Sequence, residues 1–444
     1  MGFKNQLSNN GDKLLETKLP VGRKLLVLFT AYSLEMIRAR KLEDMVTNRD
    51  LGGLFGHVWT VHPFASLVSS SESASRYGLP EAHAFAAGHT FIEGKVGRFS
   101  FLKWVEPLNF LISQAGIFFS LTRLIRKEKI SVVDAWSPLY PGLFAWALSR
   151  LCGIPLVVRV VGNHDKVYET TGRPLEKRLW CFRKIEKIVE RFVLERADLV
   201  AAVNQDNLDF ALANGAKPET STLFRYGNMI NKQHFIEPSE RSDGSGLLRE
   251  LGVEPHRFLL YIGRLEGVKH PDDIVRVFAK VRTFGYDIKL IMAGDGSWRE
   301  KLSEQARELG VENHTIFCGS KDQEWLVSVI PLAAVVLSPH TGLALLEVAL
   351  GERPIVAYDI DWQSELIESG VTGEIVPHQA WEEMADRVGR FLADSSYARS
   401  MGEAVRKRAL KMMDPAKLNE HEIKTFLKLF DRFHEQQIGK NWSP

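Results

Sequence analysis

Two consecutive doubly wound α/β domains are what this sequence predicts, and three observations predict them. Short apolar runs alternate with helix-length amphipathic stretches along nearly the whole chain, the pattern of βα units building parallel sheets. At 444 residues the chain exceeds what one core serves, since domains run to ~100–200 residues each. A polar stretch, EPSERSDGSG at 237–246, holds Pro, Ser and Gly with nothing apolar to bury, which is how a linker reads.

In order along the chain, the strand-like runs of the first half are Lys24–Thr30, His57–Val61, Ser131–Ala135, Leu156–Val160 and Leu199–Val203. Those of the second half are Phe258–Gly263, Ile288–Ala293, Thr315–Cys318, Ala334–Ser338 and Ile355–Tyr358. The expected division is a first domain over 1–236, a linker over 237–247 and a second domain over 248–414. Beyond Pro415, Ile423, Phe426, Leu427 and Phe430 recur at helical spacing, so residues 415–437 read as a helix that returns its apolar face to the first domain. Ser69–Arg76, SSSESASR, reads as a long mobile loop, and Gly52-Gly53 as a turn rather than a phosphate cradle.

Composition excludes several classes. Hydrophobic residues at 45% and charged residues at 25% exclude a disordered or collagen-like chain. A net charge of +2 is too even for a dedicated nucleic-acid binder. Cys152, Cys181 and Cys318 form no CxxC pair, which argues against a disulfide framework or zinc cluster and fits a reducing, cytoplasmic compartment. The first twenty residues carry Lys, Asp and Glu without an apolar core, so no signal peptide is expected. Pro107–Thr122, the most apolar stretch, has 16 residues and falls short of the ~20 that span a bilayer.

Charge divides unevenly: residues 1–240 hold 31 Lys and Arg against 24 Asp and Glu, whereas 241–444 hold 26 against 31. In the basic half, Arg123, Arg126, Lys127 and Lys129 follow the apolar stretch, and Lys177, Arg178, Arg183, Lys184 and Lys187 make a second cluster. Such helices suit the surface of an anionic membrane, where lipid acceptors sit, and equally suit a solvated face over a core.

Three segments of the second half carry chemistry. LYIGRLEGVKH, Leu260–His270, places Gly263, Arg264 and Lys269 at the carboxyl end of a strand, where doubly wound domains bind ligands. Arg264 and Lys269 there suit a diphosphate clamp, and read alone they equally suit two surface cations. MAGDGS, Met292–Ser297, puts Gly294 where a ligand or another backbone comes close, though a plain tight turn has the same look. SPHTGLALLE, Ser338–Glu347, starts a helix near Gly342, with free amides for an anion and with Leu343 and Glu347 one turn apart on one face.

The ordered set GRLxxxK, AGDG, LGVxNxxxFxG (Leu309–Gly319), SPxxGLALLEVALGxxPIVA and ESGVTGEIVP (Glu368–Pro377) resembles the donor domain of retaining glycosyltransferases of family four, the group 1 glycosyl transferases, with the GT-B fold. The likeness spans about residues 257–412, and it is fainter in Ser131–Asp165 and in GNMINKQHF, Gly227–Phe235. The resemblance implies two Rossmann-like domains facing a cleft, the first for the acceptor and the second for a nucleotide-diphospho-sugar such as a UDP- or GDP-sugar. It implies no cofactor and no metal beyond that co-substrate. Arg264 and Lys269 match the pair that holds the diphosphate, and Glu347 the second carboxylate of E-x7-E, which binds ribose hydroxyls. Thr341, Gly342 and Leu343 match the backbone beside the phosphates and sugar, while Ser320 and Lys321 follow the FxG where the base edge is read. The first carboxylate of E-x7-E is replaced by Pro339, which leaves His340 as the nearest polar substitute and the donor sugar open.

In the first half, Asp134 and His164-Asp165 end neighbouring strands and are candidates for touching the acceptor or polarising its hydroxyl, or for a helix cap or loop hydrogen bond. Asp359-Ile360-Asp361 is a DxD without an evident third ligand, and the pairs His57/His62 and His83/His89 lack metal spacing. The activity expected is retaining transfer of a sugar to a hydroxyl of a glycan or glycolipid, with the departing phosphate taking the acceptor proton. The rivals are a sugar-nucleotide-binding protein that no longer transfers, suggested by Pro339, and a nucleotide-sugar epimerase of the same fold.

Overall fold

The computed structural model describes residues 22–68, 76–177, 179–340 and 342–441. The expected loop at 69–75 and the residues Arg178 and Thr341 lie outside this range. The chain forms two compact units: one from residues up to Tyr168, Arg173–Met229 and Pro415 onward, the other from Glu169–Gly172 and Ile230–Asp414.

In the first unit the strands are β1 (Arg23–Leu28), β2 (Phe55–His62), β3 (Glu81–Ala86), β4 (His89–Glu93), β5 (Val132–Ala135), β6 (Leu156–Val160), β7 (Leu199–Ala202) and β8 (Ser221–Leu223). They form one sheet in the order β3-β4-β2-β1-β5-β6-β7-β8, parallel except for β3 against β4. Apolar runs without alternation make both faces of the central strands buried, and successive side chains divide between them. Leu26, Leu28, Val133 and Val158 face one side, against helices α1 (Glu106–Glu128), α2 (Tyr140–Cys152) and α4 (Arg183–Leu194), through Ile117, Leu121, Phe144 and Val193. A short α3 (His164–Thr171) follows β6. Leu25, Val27, Phe29 and Val157 face the other side, where the C-terminal helix Pro415–Asn441 lies with Phe426, Leu429 and Phe430 in the same cluster. The Phe426 ring meets Phe55 edge-on at 5.2 Å, so the helix closes the first unit although it follows the second in sequence.

The second unit has a parallel sheet of β9 (Phe258–Ile262), β10 (Lys289–Ala293), β11 (Thr315–Gly319), β12 (Val335–Ser338), β13 (Ile355–Tyr358) and β14 (Glu374–Val376), ordered β11-β10-β9-β12-β13-β14. Its sequence reversal between β10 and β12 beside β9 is the switch point where α/β sheets bind ligands. Helix α5 (Pro271–Thr283) packs Ile274, Val277, Phe278 and Val281 onto Leu259, Tyr261, Leu290 and Leu337. Two further helices, α6 (Gln323–Val329) and α7 (Leu343–Leu350), follow β11 and β12.

All ten strand-like runs of the sequence form strands at or within two residues of their expected bounds. Four strands escaped notice. β3 is exposed and Ala-rich, its partner β4 is a five-residue run with polar His89, Thr90 and Glu93 among its apolar side chains, and β8 and β14 have three residues each, too few to show a period. The polar stretch 237–247 is packed rather than free. Arg241 donates to the carbonyls of Leu350 (2.5 Å) and His234 (2.6 Å), and a Cβ at Gly244 would stand 2.5 Å from the Ser328 carbonyl. A guanidinium that satisfies a helix-terminal carbonyl anchors a segment with nothing apolar to bury.

Candidate active site

The candidate site lies at the carboxyl edge of the second sheet. The Gly263 N–H donates to Ala293 O (3.1 Å), and Gly294 N–H to Gly319 O (2.9 Å), which draws the ends of β9, β10 and β11 together. A Cβ at Gly294 would stand 1.8 Å from the Gly263 carbonyl oxygen, so only glycine permits this crossing. From Gly263 the chain turns outward, fixed by the Tyr261 hydroxyl donating to Arg264 O (3.0 Å), and leaves the Arg264 side chain exposed. A 3₁₀ turn, Gly267–Lys269, then leads through His270, in the left-handed region at φ 49°, to Pro271 at the start of α5.

Lys269 is half-buried. Burial, with the like charge of Arg264, pulls its ammonium down to about 8 against the opposing pull of Asp361. Among the described residues neither Arg264 nor Lys269 forms an ion pair, so their charge awaits an anion. His340 completes the group: its Nδ1–H donates to Val268 O (2.8 Å), and Nε2 stands 3.6 Å from the Asp361 carboxylate. His340 thus faces Lys269's loop, at the end of β12 and before the α7 start, where Gly342 is the N-cap without a side-chain cap. Of the first-turn amides of α7, Leu345 N–H already donates to Gly342 O (3.1 Å), and the amides before it have no intrahelical partner.

Behind Lys269, His270 and His378 share a hydrogen bond between their Nε2 atoms at 3.0 Å. Burial, then His378 and His340, lower His270 to about 4, so this pair is neutral near pH 7. The Tyr358 hydroxyl donates to Asp273 (2.9 Å), and its ring meets His270 at 6.0 Å.

Glu347 sits on α7, 7% exposed. Gln323 Nε2 donates to its Oε1 (2.9 Å), and Gln323 Oε1 accepts from His234 Nε2 (2.8 Å). His234 is fully buried, and burial keeps it below the ordinary imidazole range despite Glu347 and Gln323. The relay His234–Gln323–Glu347 therefore fixes one oxygen and the tilt of the carboxylate. Sequence reasoning missed both supports; GNMINKQHF ends in the His234-Phe235 pair, but its partner is 89 residues away. Ser320 is exposed beyond β11, and the Lys321 ammonium lies 5.5 Å from the Trp325 ring. Leu343 is half-exposed at the start of α7.

Within the DxD, Asp359 is exposed, and Asp361, at φ 59°, serves as the carboxylate facing Lys269 and His340. Among the described residues no three His, Cys, Asp or Glu side chains converge as a ligand set.

The first-unit candidates are placed differently. Asp134 does not face a strand end; it is 1% exposed on the sheet face beneath the C-terminal helix. Its carboxylate accepts from Arg159 Nε (2.8 Å), and Arg159 Nη2 reaches Glu422 of that helix (3.1 Å). The side-chain alternation of β5 puts Asp134 beside Val132 and Trp136, so it acts as an internal counter-ion and not as an acceptor contact. His164 begins α3, 4% exposed, with Nδ1 on Glu190 (2.6 Å); Arg183 in turn binds Glu190, Glu186 and Asp165.

Two family descriptions match: "Glycosyl transferases group 1" over residues 249–408 and "Glycosyl transferase 4-like domain" over 57–227. The chain belongs to the group 1 glycosyl transferases. Its two parallel-sheet domains match the GT-B architecture. Over 91% of this chain and 99% of the other, the Anabaena protein HepE, solved with UDP-glucose, superimposes with a TM-score of 0.67 at 17% identity. The sucrose-phosphate synthase of Thermosynechococcus elongatus superimposes with a TM-score of 0.71 at 16% identity, over 92% of this chain and 100% of that one. In sequence, the chain is 27% identical to the alpha-D-kanosaminyltransferase of Streptomyces kanamyceticus over 264 residues, 59% of this chain and 67% of that protein. The chain spans about two thirds or less of the length of the curated relatives it matches.

Proposed function

We propose that the chain is a retaining glycosyltransferase that moves a sugar from a nucleotide-diphospho-sugar to a hydroxyl of a glycan or glycolipid. The observation that carries this reading is the pair Arg264 and Lys269, without an ion pair among the described residues, at the switch point beside a helix start whose N-cap Gly342 offers no side-chain cap. The bond from the anomeric carbon to phosphate breaks with its electrons passing to the diphosphate, the acceptor oxygen bonds to that carbon, and its proton goes to the leaving phosphate on the same face. Negative charge grows where the two cations and the helix amides converge, which stabilises the transition state more than the ground state. Glu347, tilted by Gln323, takes the ribose hydroxyls, and His340 stands nearest the donor sugar where Pro339 replaces a carboxylate. One structural neighbour, HepE, solved with UDP and with UDP-glucose, supports the donor class. In this reading the cations do what a metal would do, so the reaction needs no metal or other cofactor, and it takes place in the cytoplasm at a membrane surface.

Anomeric configuration of the first-formed product, assigned by NMR, tests the mechanism: an α-linked donor gives an α-linked product, and an inverted linkage rejects it. Arg264→Ala and Lys269→Ala each lower turnover even at saturating donor. Pro339 favours one other reading, a protein that binds the nucleotide sugar without transferring it. Intact donor binding without transfer to any acceptor would select that reading.

A further inference from the structure

Helices α1, α2 and α4 lie side by side on one sheet face, joined by Phe118 against Phe144 (5.4 Å) and Trp146 against Phe192 (4.7 Å). Their outward surface inverts what water favours. Helix α1 is long and apolar enough to cross a membrane, yet Ile117, Leu121 and Ile125 bury one side of it in the core. Its opposite side, Leu108, Leu111, Ala115 and Phe119, is exposed, and from Pro107 to Thr122 there is no charged residue. Leu111 is 64% exposed, and just before the helix Phe101 and Trp104 stand 72% and 85% exposed. Cations stand at both ends of this stripe: Lys103 lies over the Trp104 ring (5.2 Å), next to exposed Glu106, which is 3.8 Å from Arg76, and exposed Arg123, Arg126 and Lys127 follow its end.

Helix α4 repeats the inversion. Its acids Glu186 and Glu190 are fully buried against Arg183, while Phe182, Ile185 and Ile188 are exposed, Ile188 by 69%. Between those side chains stand Lys184, Lys187 and Arg191, all exposed; Lys187 also reaches Asp165 at 3.1 Å and Arg191 pairs with Glu195. A soluble helix turns its acids outward and its isoleucines inward. Burying Glu186 and Glu190 leaves a face in which apolar and basic side chains predominate, with Asp165 and Glu195 paired to cations at its edge. It is complementary to an anionic leaflet, with apolar groups for the acyl boundary and aromatic rings and cations for the headgroups.

We infer that the outward faces of α1 and α4, with the Phe101–Trp104 segment, dock the first unit onto an anionic lipid bilayer without crossing it. The inference deepens the proposed function, on which it rests for the sense of a lipid-linked acceptor, and to the basic clusters that first suggest a membrane it adds the exposed apolar and aromatic side chains between them. It differs from spanning because the core side of α1 is occupied.

Flotation of the full chain with vesicles of phosphatidylcholine, with and without phosphatidylglycerol, tests it. The protein should float with the anionic vesicles and come off as salt is raised. Leu111→Gln with Phe119→Gln, and separately Ile185→Gln with Ile188→Gln, should each reduce partitioning about tenfold. Lys103→Gln with Lys184→Gln should reduce it on anionic vesicles alone. All six side chains are exposed, so melting temperatures should hold. No flotation at low salt, or variants that float like the parent, overturns the inference. So does a dimer in sedimentation that Leu111→Gln with Phe119→Gln converts to monomer, because a second copy then covers the face. Nucleoside-diphosphate binding measured on the same samples separates the two readings: lost flotation with intact nucleotide binding counts against docking alone, and intact flotation without sugar transfer supports docking while counting against the transferase.

Discussion

In the first unit the charged side chains among β5, β6 and their neighbours are closed into internal networks. Asp134, Arg159 and Glu422 form one, with the guanidinium 5.3 Å from Trp136 and 5.1 Å from Phe224; His164, Glu190 and Arg183 form another. Burial pulls Arg159 down, but Asp134 and Glu422 outweigh it and hold the guanidinium above its ordinary value. In the second unit Arg264 and Lys269 stand together without an ion-pair partner among the described residues, and Lys269 is held at about 8. Like charges kept unneutralised cost stability and gain a ligand, whereas neutralised ones hold elements together. Charged side chains are thus neutralised on a buried sheet face in one unit and left without an ion pair at strand ends in the other, where the proposed function places the diphosphate.

Arg159→Ala should break the comparison most visibly. It strands Asp134 and Glu422 in the core and loosens the C-terminal helix, a loss of ~3–5 kcal/mol in denaturant unfolding. Nucleoside-diphosphate affinity of the folded fraction should stay unchanged, and a selective loss of affinity with full stability would reverse the assignment. Arg264→Ala should do the opposite: unfolding midpoints hold while nucleoside-diphosphate affinity, measured by calorimetry, falls by ~1.5–3 kcal/mol, the scale of a hydrogen bond to a charged group. Equal binding by parent and variant removes the diphosphate clamp.

The smallest effect is one of pH. Because Lys269 in the free protein is lowered to about 8, its charge is present below that pH and lost as pH rises through it. A bound diphosphate restores the proton, so affinity should fall by up to ~tenfold between pH 7 and 9, about one pKa unit of interaction. Calorimetry near pH 8.5 in buffers of different ionisation enthalpy should show proton uptake on binding, and Lys269→Arg should abolish it. Affinity flat with pH in the parent would place Lys269 outside the diphosphate site.

Much of this was legible before any coordinates. Buried parallel strands read as near-continuous apolar runs, so ten were visible, and Arg264, Lys269 and Glu347 stand at loop and helix positions that their local pattern marks. The three-residue β8 and β14 gave no period to read. Asp134 was misread because the end of a strand says nothing about which face a side chain takes or what lies on it.

The sequence by itself determined the alternation of strands and helices, the order of the motifs, the cations at 264 and 269 and the apolar face of the last helix. These are local properties, set by periods of 2 and 3.6 residues and by the residue types that end a strand or start a helix. Only the tertiary structure decided that Arg159 neutralises Asp134 and Glu422, 25 and 263 residues away, and that Gln323 bridges His234 to Glu347. It also decided that α1 buries one apolar side and exposes the other, because an all-round uncharged helix has no sequence signal for which side meets the sheet. Pairings between distant residues depend on chain topology, and topology is fixed by the joint packing of all elements rather than by any one segment.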